Sequence, residues 1–104
     1  MIKLGAEPVS PSYLIANVEF GNADQAMAYG RRVPQTVEKY GGRYLVRGGS
    51  AEVVEGDWRP RYMVVLEFPS TERARAWYSS NDYASLKAVR QGAAHSDFIF
   101  VEGV

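Results

Sequence analysis

The segment RYMVVLEFP, residues 61–69, limits the possible folds more than any other stretch of the chain. Alternate side chains of an extended strand point to opposite faces of a sheet. Both faces of this segment are mostly apolar: one carries Tyr62, Val64, Leu66 and Phe68, the other Met63, Val65 and Glu67. A strand that is apolar on both sides must be covered on both sides. We therefore expect a central strand, ending at Pro69.

Other segments predict further strands. YLIANVEF at 13–20 alternates, with Leu14, Ala16, Val18 and Phe20 on the face expected to lie under helices. RYLVR at 43–47 predicts a short strand, AEVVEG at 51–56 a further extended piece that pairs nearby, and DFIFVEGV at 97–104 the last strand.

Amphipathic spacing predicts helices between these strands. Asn22 is a suitable N-cap for the first helix, with Gln25 three residues later, and Gly41-Gly42 closes it. Pro34 removes a backbone donor inside this helix, so we expect a kink or a break near Val33. Ser70 predicts the start of a second helix. Ser80 or Asn81 predicts a further short helix that ends near Gly92.

The order strand, helix, strand, strand, helix, strand is the ferredoxin-like plan, an α+β fold with an antiparallel sheet covered by helices on one face. A chain of 104 residues is too short for two separate cores. We expect residues 13–104 to form one such domain. Residues 1–12, which carry Pro8 and Pro11, predict a loosely held lead-in segment.

The other face of the predicted sheet has no helix to cover it. If the strands alternate regularly, this open face carries Tyr13, Ile15, Asn17, Glu19, Arg43, Leu45, Arg47, Met63, Val65 and Glu67. Its apolar members would leave a large patch in water. We therefore expect a second copy of the chain to cover it, which makes the protein a homodimer.

Composition excludes several classes of partner. Lysine plus arginine equals aspartate plus glutamate at 12 each, so no net field attracts nucleic acid or an anionic membrane. The absence of cysteine excludes disulfides, thiolate nucleophiles and cysteine-based metal sites. No stretch approaches the ~20 apolar residues of a membrane span, and residues 1–12 hold no signal-like apolar run. We expect a cytoplasmic protein with no metal and no cofactor.

Six segments in sequence order carry a family resemblance: YLIANVEF, YGGRYLVRGG, EGDWRP, VVLEFPS, ARAWYSSNDYASLKAVR and VEGV. From about Tyr13 to the carboxyl end, the chain resembles the small bacterial proteins called domain of unknown function 1330, within the dimeric α/β-barrel superfamily. The resemblance implies a ferredoxin-like protomer whose sheet packs on that of a second protomer. It implies no reaction, since the superfamily includes monooxygenases, heme-using enzymes, isomerases and ligand-sensing modules.

Two arginines are the charged residues of most interest. Arg43 and Arg47 lie four apart on a predicted strand, so regular alternation places both on the open face. An arginine on a covered face needs an anionic partner or water, because an unpaired buried charge is costly. One hypothesis is an ion-pair network with Glu19 and Glu67 of the neighbouring strands.

The alternative hypothesis is a cleft on this sheet face that binds a small carboxylate or similar anion. Its ligand-binding residues would be Arg47, Arg43, Asn17, Glu67 and Tyr13. We expect Arg47 to be the main contact, since its planar donor fork matches a carboxylate. The catalytic residues, if any, are not identified by the pattern. Glu67 and Glu102 would serve as general bases only if burial raised their pKa values.

The glycine pairs 41–42 and 48–49 flank a strand, whereas a phosphate loop leads from a strand into a helix. We interpret them as turn residues. His95 is the single histidine, and AAHSDF predicts a solvated turn. We expect His95 to be dispensable. Trp77, Tyr78 and Tyr83 have helical spacing and fit the core better than a ligand-stacking wall.

Three functions remain open for such a protein. The first is a cofactor-independent enzyme that acts on a small organic substrate, such as a carboxylate, in the cleft. The second is a non-catalytic metabolite-binding or sensor module that uses the same cleft. The third is a structural dimerisation protein whose sheet face does nothing but pair with a second copy.

Overall fold

A computed structural model describes residues 10–104 as a four-stranded antiparallel sheet with three helices on one face. In chain order the elements are β1 (Ser12–Phe20), α1 (Ala23–Lys39), β2 (Arg43–Arg47), β3 (Met63–Phe68), α2 (Thr71–Tyr78), α3 (Asn81–Ala93) and β4 (Ala94–Glu102). The strand order in the sheet is β2-β3-β1-β4. This is the ferredoxin-like arrangement, and the predicted fold class is confirmed.

The two faces of the sheet are used as the alternation in β1 and β3 predicts. Leu14 lies opposite Leu66 of β3 and Phe100 of β4, on the face that the helices cover. Ile15 lies opposite Val65 and Ile99, on the open face. Leu14 and Leu66 are buried, whereas Ile99 is exposed in the single chain.

The core lies between the sheet and the helices. Its buried members are Leu14, Val33, Val37, Leu66, Phe68, Ala74, Trp77, Tyr83 and Leu86. Trp77 stacks on Tyr83 with a centroid distance of 4.2 Å, and its Nε1–H donates a 2.9 Å hydrogen bond to Oγ1 of Thr36. The interpretation of Trp77 and Tyr83 as core aromatics is confirmed.

Side-chain caps fix the start of each helix. The side chain of Asn22 accepts a hydrogen bond from the backbone N–H of Gln25 at 3.0 Å. Ser70 and Ser80 cap α2 and α3 in the same way. Because such a cap satisfies a backbone donor that has no helical partner, the sequence marks these boundaries clearly.

Helix α1 runs through Pro34 without interruption, so the predicted break near Val33 is wrong. Proline has no N–H, so Pro34 leaves the carbonyl oxygen of Gly30, four residues earlier, without its helical donor. The guanidinium Nη2 of Arg47 supplies a donor to that oxygen at 2.5 Å. A side chain from β2 therefore replaces the hydrogen bond that the helix lacks.

The segment between β2 and β3 is a loop, and the strand predicted at 51–56 is wrong. Gly48 has a φ of +67° and donates its N–H to the carbonyl of Met63 at 2.7 Å, which ends β2. Beyond it the chain leaves the sheet, and Val54 and Trp58 are exposed. The positive φ of Gly41 and of Gly48 supports the interpretation of both glycine pairs as turns.

One backbone hydrogen bond joins the residue before β1 to the segment after β4. Gly103 donates its N–H to the carbonyl of Pro11 at 2.8 Å, and β1 begins at Ser12. The greater part of the predicted lead-in, including Pro8, lies outside the described residues. No helix within residues 10–104 has the length and apolar character that a bilayer span requires.

Candidate functional site

A cleft of about 840 Å³ lies between α1 and the helix-covered face of the sheet. One stripe of α1 forms its first wall: Ala23, Ala26, Met27, Gly30 and Arg31. The facing wall consists of sheet residues, among them Val18, Phe20, Tyr44, Arg47 and Val64. This volume lies in the range of small-molecule pockets. The cleft is on the opposite side of the sheet from the one predicted.

Positive charge predominates among the described residues that line the cleft. Arg31, Arg47 and Arg61 contribute guanidinium groups, and Glu19 contributes the single carboxylate. The Nε of Arg61 lies 3.8 Å from Oε1 of Glu19, and the Arg61 side chain is mostly exposed. An ion pair of this kind is weak in water. The cleft therefore favours an anionic group over a cationic one.

Arg47 reaches the cleft because β2 contains a bulge. Arg43 pairs with Glu67 and Tyr44 with Leu66, but the next paired residue is Val46, so Leu45 is the extra residue. An extra residue reverses the alternation beyond it. Arg47 consequently lies opposite Val64, on the helix-covered face. The prediction that Arg43 and Arg47 share the open face is wrong.

Tyr44 supports Arg47 on this face. The guanidinium carbon of Arg47 lies 5.1 Å from the centroid of the Tyr44 ring, a cation–π distance. Burial raises the pKa of Tyr44 to about 12, so its hydroxyl stays protonated at neutral pH. Arg47 is thus held by an aromatic ring and by the Gly30 carbonyl, with its remaining N–H groups at the cleft.

Arg43 forms the predicted ion pair on the open face. Its Nε donates a 2.7 Å hydrogen bond to Oε1 of Glu67. This bond holds the pKa of the Glu67 carboxyl below its usual value, and a hydrogen bond from Tyr13 acts in the same direction. A carboxyl with a lowered pKa is a poor general base near neutral pH. The three predicted residues therefore lie together, away from the cleft and from Arg47.

Asn17 is committed to the backbone of the loop before β3. Its Oδ1 accepts hydrogen bonds from the N–H groups of Arg61 and Tyr62, both at 3.0 Å, and its Nδ2 donates to Glu19 at 2.9 Å. The side chain is buried. Asn17 therefore positions the rim of the cleft, where Arg61 and Tyr62 lie, and its hydrogen-bonding groups are occupied within the protein.

His95 lies near the start of β4, opposite Glu19, where it lines the cleft, and not in the predicted turn. Its side chain is 78 % exposed, and its Nε2 lies 3.9 Å from Oδ2 of Asp97. Within residues 10–104 no group of three or more histidine, cysteine, aspartate or glutamate side chains could hold a metal ion. The solvated position agrees with the expectation for His95, and its dispensability stays a prediction.

A chain of buried polar groups leads from α3 to the cleft, and the sequence analysis missed it. The Nε of Arg90 donates to the hydroxyl of Tyr83 at 3.1 Å, and that hydroxyl lies 2.5 Å from the hydroxyl of Tyr29. Tyr29 lines the cleft. The available signal was the spacing of Tyr83, Leu86 and Arg90, three and four residues apart, which is typical of one face of a helix.

The profile of the family "Domain of unknown function (DUF1330)" matches residues 11–104. The chain belongs to this family. The comparison with curated proteins found no match. The family membership agrees with the resemblance seen in the sequence, and it assigns no activity.

Solved structures share the fold of this DUF1330 protein. A protein of unknown function from Rhodopseudomonas palustris is 21% identical, with a TM-score of 0.71 over 91% of this chain and 83% of that one. A cofactor-independent oxygenase from Streptomyces nogalater is 6% identical, with a TM-score of 0.63 over 89% and 92%. A dimeric ferredoxin-like protein of unknown function from Thermobifida fusca is 10% identical, with a TM-score of 0.57 over 98% and 99%.

Hydrogen-bond donors are prominent among the polar groups that line the cleft of this DUF1330 protein. Its arginines provide charged N–H donors, and Tyr29, Tyr44 and Tyr62 provide phenolic hydroxyls. The rest of the wall is mostly apolar. Such a site fixes the orientation of a ligand by a few polar contacts while apolar contacts exclude water.

Proposed function

We propose that the protein binds a small organic molecule with an apolar body and an anionic group in the cleft between α1 and the sheet. The observation that carries this proposal is the combination of apolar walls, three arginines and one carboxylate around a single volume of about 840 Å³. Apolar walls lower the local dielectric constant, so the attraction between an arginine and an anion is stronger there than in bulk water.

Arg47 is the residue that we expect to contact the anionic group. A guanidinium carries five N–H donors, and the Gly30 carbonyl accepts from one of its nitrogens, Nη2. The planar fork of arginine binds both oxygens of a carboxylate, which a lysine ammonium cannot do. The bulge at Leu45, which turns Arg47 toward the cleft, is therefore part of the proposal.

The test is a binding assay with matched ligands. Isothermal titration with benzoate and 2-naphthoate, compared with the corresponding neutral amides, should show a preference for the carboxylates in the wild type. Arg47→Lys should weaken carboxylate binding by about 1–3 kcal/mol, since it keeps the charge and loses the fork. Arg75→Met, an exposed arginine of α2 away from the cleft, is the control. Equal binding of acids and amides would refute the proposal.

Cofactor-independent turnover of the bound molecule is the second candidate function. The presence of tyrosine hydroxyls in the cleft favours it, since they can donate or accept a proton. The solved oxygenase from Streptomyces nogalater is described as cofactor-independent and has the same fold. Mass spectrometry of a ligand incubated with the protein in air separates the two functions: an unchanged mass supports a binding or sensor module, and a new product supports an enzyme.

We also propose that a second copy of the chain covers the open sheet face. This face carries Ile15, Met63, Val65, Ile99 and Val101. The cleft lies on the other side of the sheet, so a homodimer of this kind leaves it accessible. A cleft of this size favours ligand binding over a purely structural dimerisation role.

A further inference from the structure

The hydrogen bonds that link Arg90, Tyr83 and Tyr29 all donate in one direction, from Arg90 toward the cleft. Arg90 is only 4 % exposed, and no carboxylate within residues 10–104 forms an ion pair with it. Its guanidinium carbon lies 4.0 Å from the centroid of the Phe98 ring. Arginine has donors and no acceptor, so the hydroxyl oxygen of Tyr83 must accept in the 3.1 Å bond between them.

The next bond follows from the burial of Tyr83. Its side chain has no solvent exposure, so its own hydroxyl hydrogen needs an acceptor inside the protein. The hydroxyl oxygen of Tyr29, 2.5 Å away, is that acceptor. If Tyr29 donated instead, the hydrogen of Tyr83 would be left buried without a partner, which costs about 1–3 kcal/mol. Tyr83 therefore donates to Tyr29.

The hydrogen of Tyr29 is then the last donor of the chain. No acceptor for it is present in the part of the chain that the structure describes, and Tyr29 lines the cleft. Burial and the nearby Tyr83 raise the pKa of Tyr29, so the phenol keeps this hydrogen at neutral pH. A charged donor at the far end polarises successive hydrogen bonds and strengthens the last one.

We propose that Tyr29 donates a hydrogen bond to a carbonyl or oxyanion oxygen of the molecule in the cleft, with Tyr83 and Arg90 as positioning residues. This inference rests on the proposed binding function and narrows its ligand class. The ligand carries an anionic group for Arg47 and a second oxygen acceptor for Tyr29, as a keto acid or a hydroxylated aromatic acid does. Gly30, which holds Arg47, is the residue after Tyr29, so the two contacts are adjacent along α1.

A matched pair of probes tests the second contact. 4-Acetylbenzoate and 4-ethylbenzoate share a carboxylate and a ring. They differ at one position, where the acetyl compound has a carbonyl group and the ethyl compound has a methylene group. Isothermal titration of the wild type should give about fivefold tighter binding of the acetyl compound, which one hydrogen bond supplies. In Tyr29→Phe this preference for 4-acetylbenzoate should vanish.

The positioning role of Tyr83 is tested by Tyr83→Phe. This variant removes the hydrogen bonds that link Arg90 to Tyr29 and leaves Tyr29 in place. The preference for 4-acetylbenzoate should fall to about twofold. Tyr78→Phe is the control, because Tyr78 packs beside Tyr83 and takes no part in the chain. A spectroscopic signature accompanies the affinity: with 13Cζ-labelled tyrosine, the Tyr29 resonance should shift with the acetyl compound and much less with the ethyl compound. Thermal melts establish that each variant is folded.

The outcomes separate this inference from the proposed function. Equal binding of both probes by the wild type, with preference for acids over amides retained, overturns the Tyr29 contact alone. A preference for 4-acetylbenzoate that survives in Tyr29→Phe also overturns it. Failure of both probes to bind refutes the proposed function, and this inference with it.

Discussion

Arg47 donates a hydrogen bond to the carbonyl oxygen of Gly30, the oxygen that Pro34 leaves without a helical donor. Two elements thus depend on each other: Pro34 in α1 leaves the Gly30 carbonyl without a helical donor, and the bulge at Leu45 in β2 turns Arg47 toward it. A Cβ added at Gly30 would lie 3.6 Å from Nη2 of Arg47, which is ordinary contact. The same arginine lines the cleft, so the hydrogen bond to α1 and the proposed ligand contact use one side chain.

A double-mutant cycle should detect this dependence. Arg47→Met should cost about 1 kcal/mol in urea unfolding of the wild type, since a carbonyl loses its donor. Pro34→Ala restores a helical N–H to that carbonyl, so the cost of Arg47→Met should be smaller in this background. Arg31→Met, another exposed arginine of the cleft, should cost the same in both backgrounds. Additive costs for Arg47 and Pro34 would contradict the shared role of the Gly30 carbonyl.

The position of Arg47 shows where prediction from sequence fails in a strand. Alternation with period two assigns a face to every residue only if no residue is added to the ladder. The bulge at Leu45 depends on how β2 pairs with β3. RYLVR contains no glycine or proline that would indicate a bulge. Arg43, before the bulge, was assigned its face and its partner Glu67 correctly. Arg47, after it, was assigned to the wrong face.

Elements whose cause is local were predictable. The caps Asn22, Ser70 and Ser80 act within three residues, and the apolar alternation of β1 and β3 is visible in the sequence. The cleft was not predictable, because its walls come from α1 and from all four strands of the sheet. The role of Asn17 was likewise hidden, since its partners Arg61 and Tyr62 lie more than forty residues away.

Gly48 should tolerate substitution poorly, in contrast to its neighbour. Its φ is +67°, and a Cβ there would overlap the ring of Tyr62. Gly48→Ala should therefore cost about 1–3 kcal/mol of unfolding free energy. Gly49→Ala is the matched control, because its φ is not positive and a Cβ would meet nothing within 4 Å. Equal stability of the two variants in chemical denaturation would count against the turn geometry.

The ion pair of Arg43 and Glu67 predicts a pH dependence of stability. The pKa of Glu67 is lowered in the folded state, first by the hydrogen bond from Arg43. A lowered pKa stabilises the folded state above the pKa of a free glutamate, 4.5, and this stabilisation is lost as the pH falls through the pKa of the folded state.

The direction of this pH dependence is checked by urea unfolding of the wild type and of Glu67→Gln at several pH values. The wild type should be more stable at pH 7, and the difference should shrink as the pH falls below 4.5. Both groups are accessible to water, so added salt should also reduce the difference at pH 7. The control is Glu102→Gln, which removes a carboxylate at the exposed end of β4 and leaves the Arg43–Glu67 pair intact. If the stability difference between the wild type and Glu67→Gln grew in acid, it would contradict a lowered pKa of Glu67 in the folded state.

The homodimer can be tested on the open sheet face. Ile99 lies opposite Ile15 on this face and is 55 % exposed in the single chain. Burial of a patch of several hundred Å² on each chain, at ~25 cal/mol per Å², supplies enough gross free energy to offset the cost of association. A lysine in the middle of such an interface would lose its water without gaining an anionic partner, so Ile99→Lys should separate the chains.

Light scattering coupled to gel filtration gives the measurement. At micromolar concentration the wild type should have twice the chain mass of 11.6 kDa, and Ile99→Lys should have the single mass. Val89→Lys provides the control, since Val89 is similarly exposed at 46 % but lies on α3, on the other side of the sheet. It should remain a dimer. A monomeric wild type would refute the proposal that a second copy covers the open sheet face. Disruption of the dimer by Val89→Lys but not by Ile99→Lys would show that the interface lies on the helices instead.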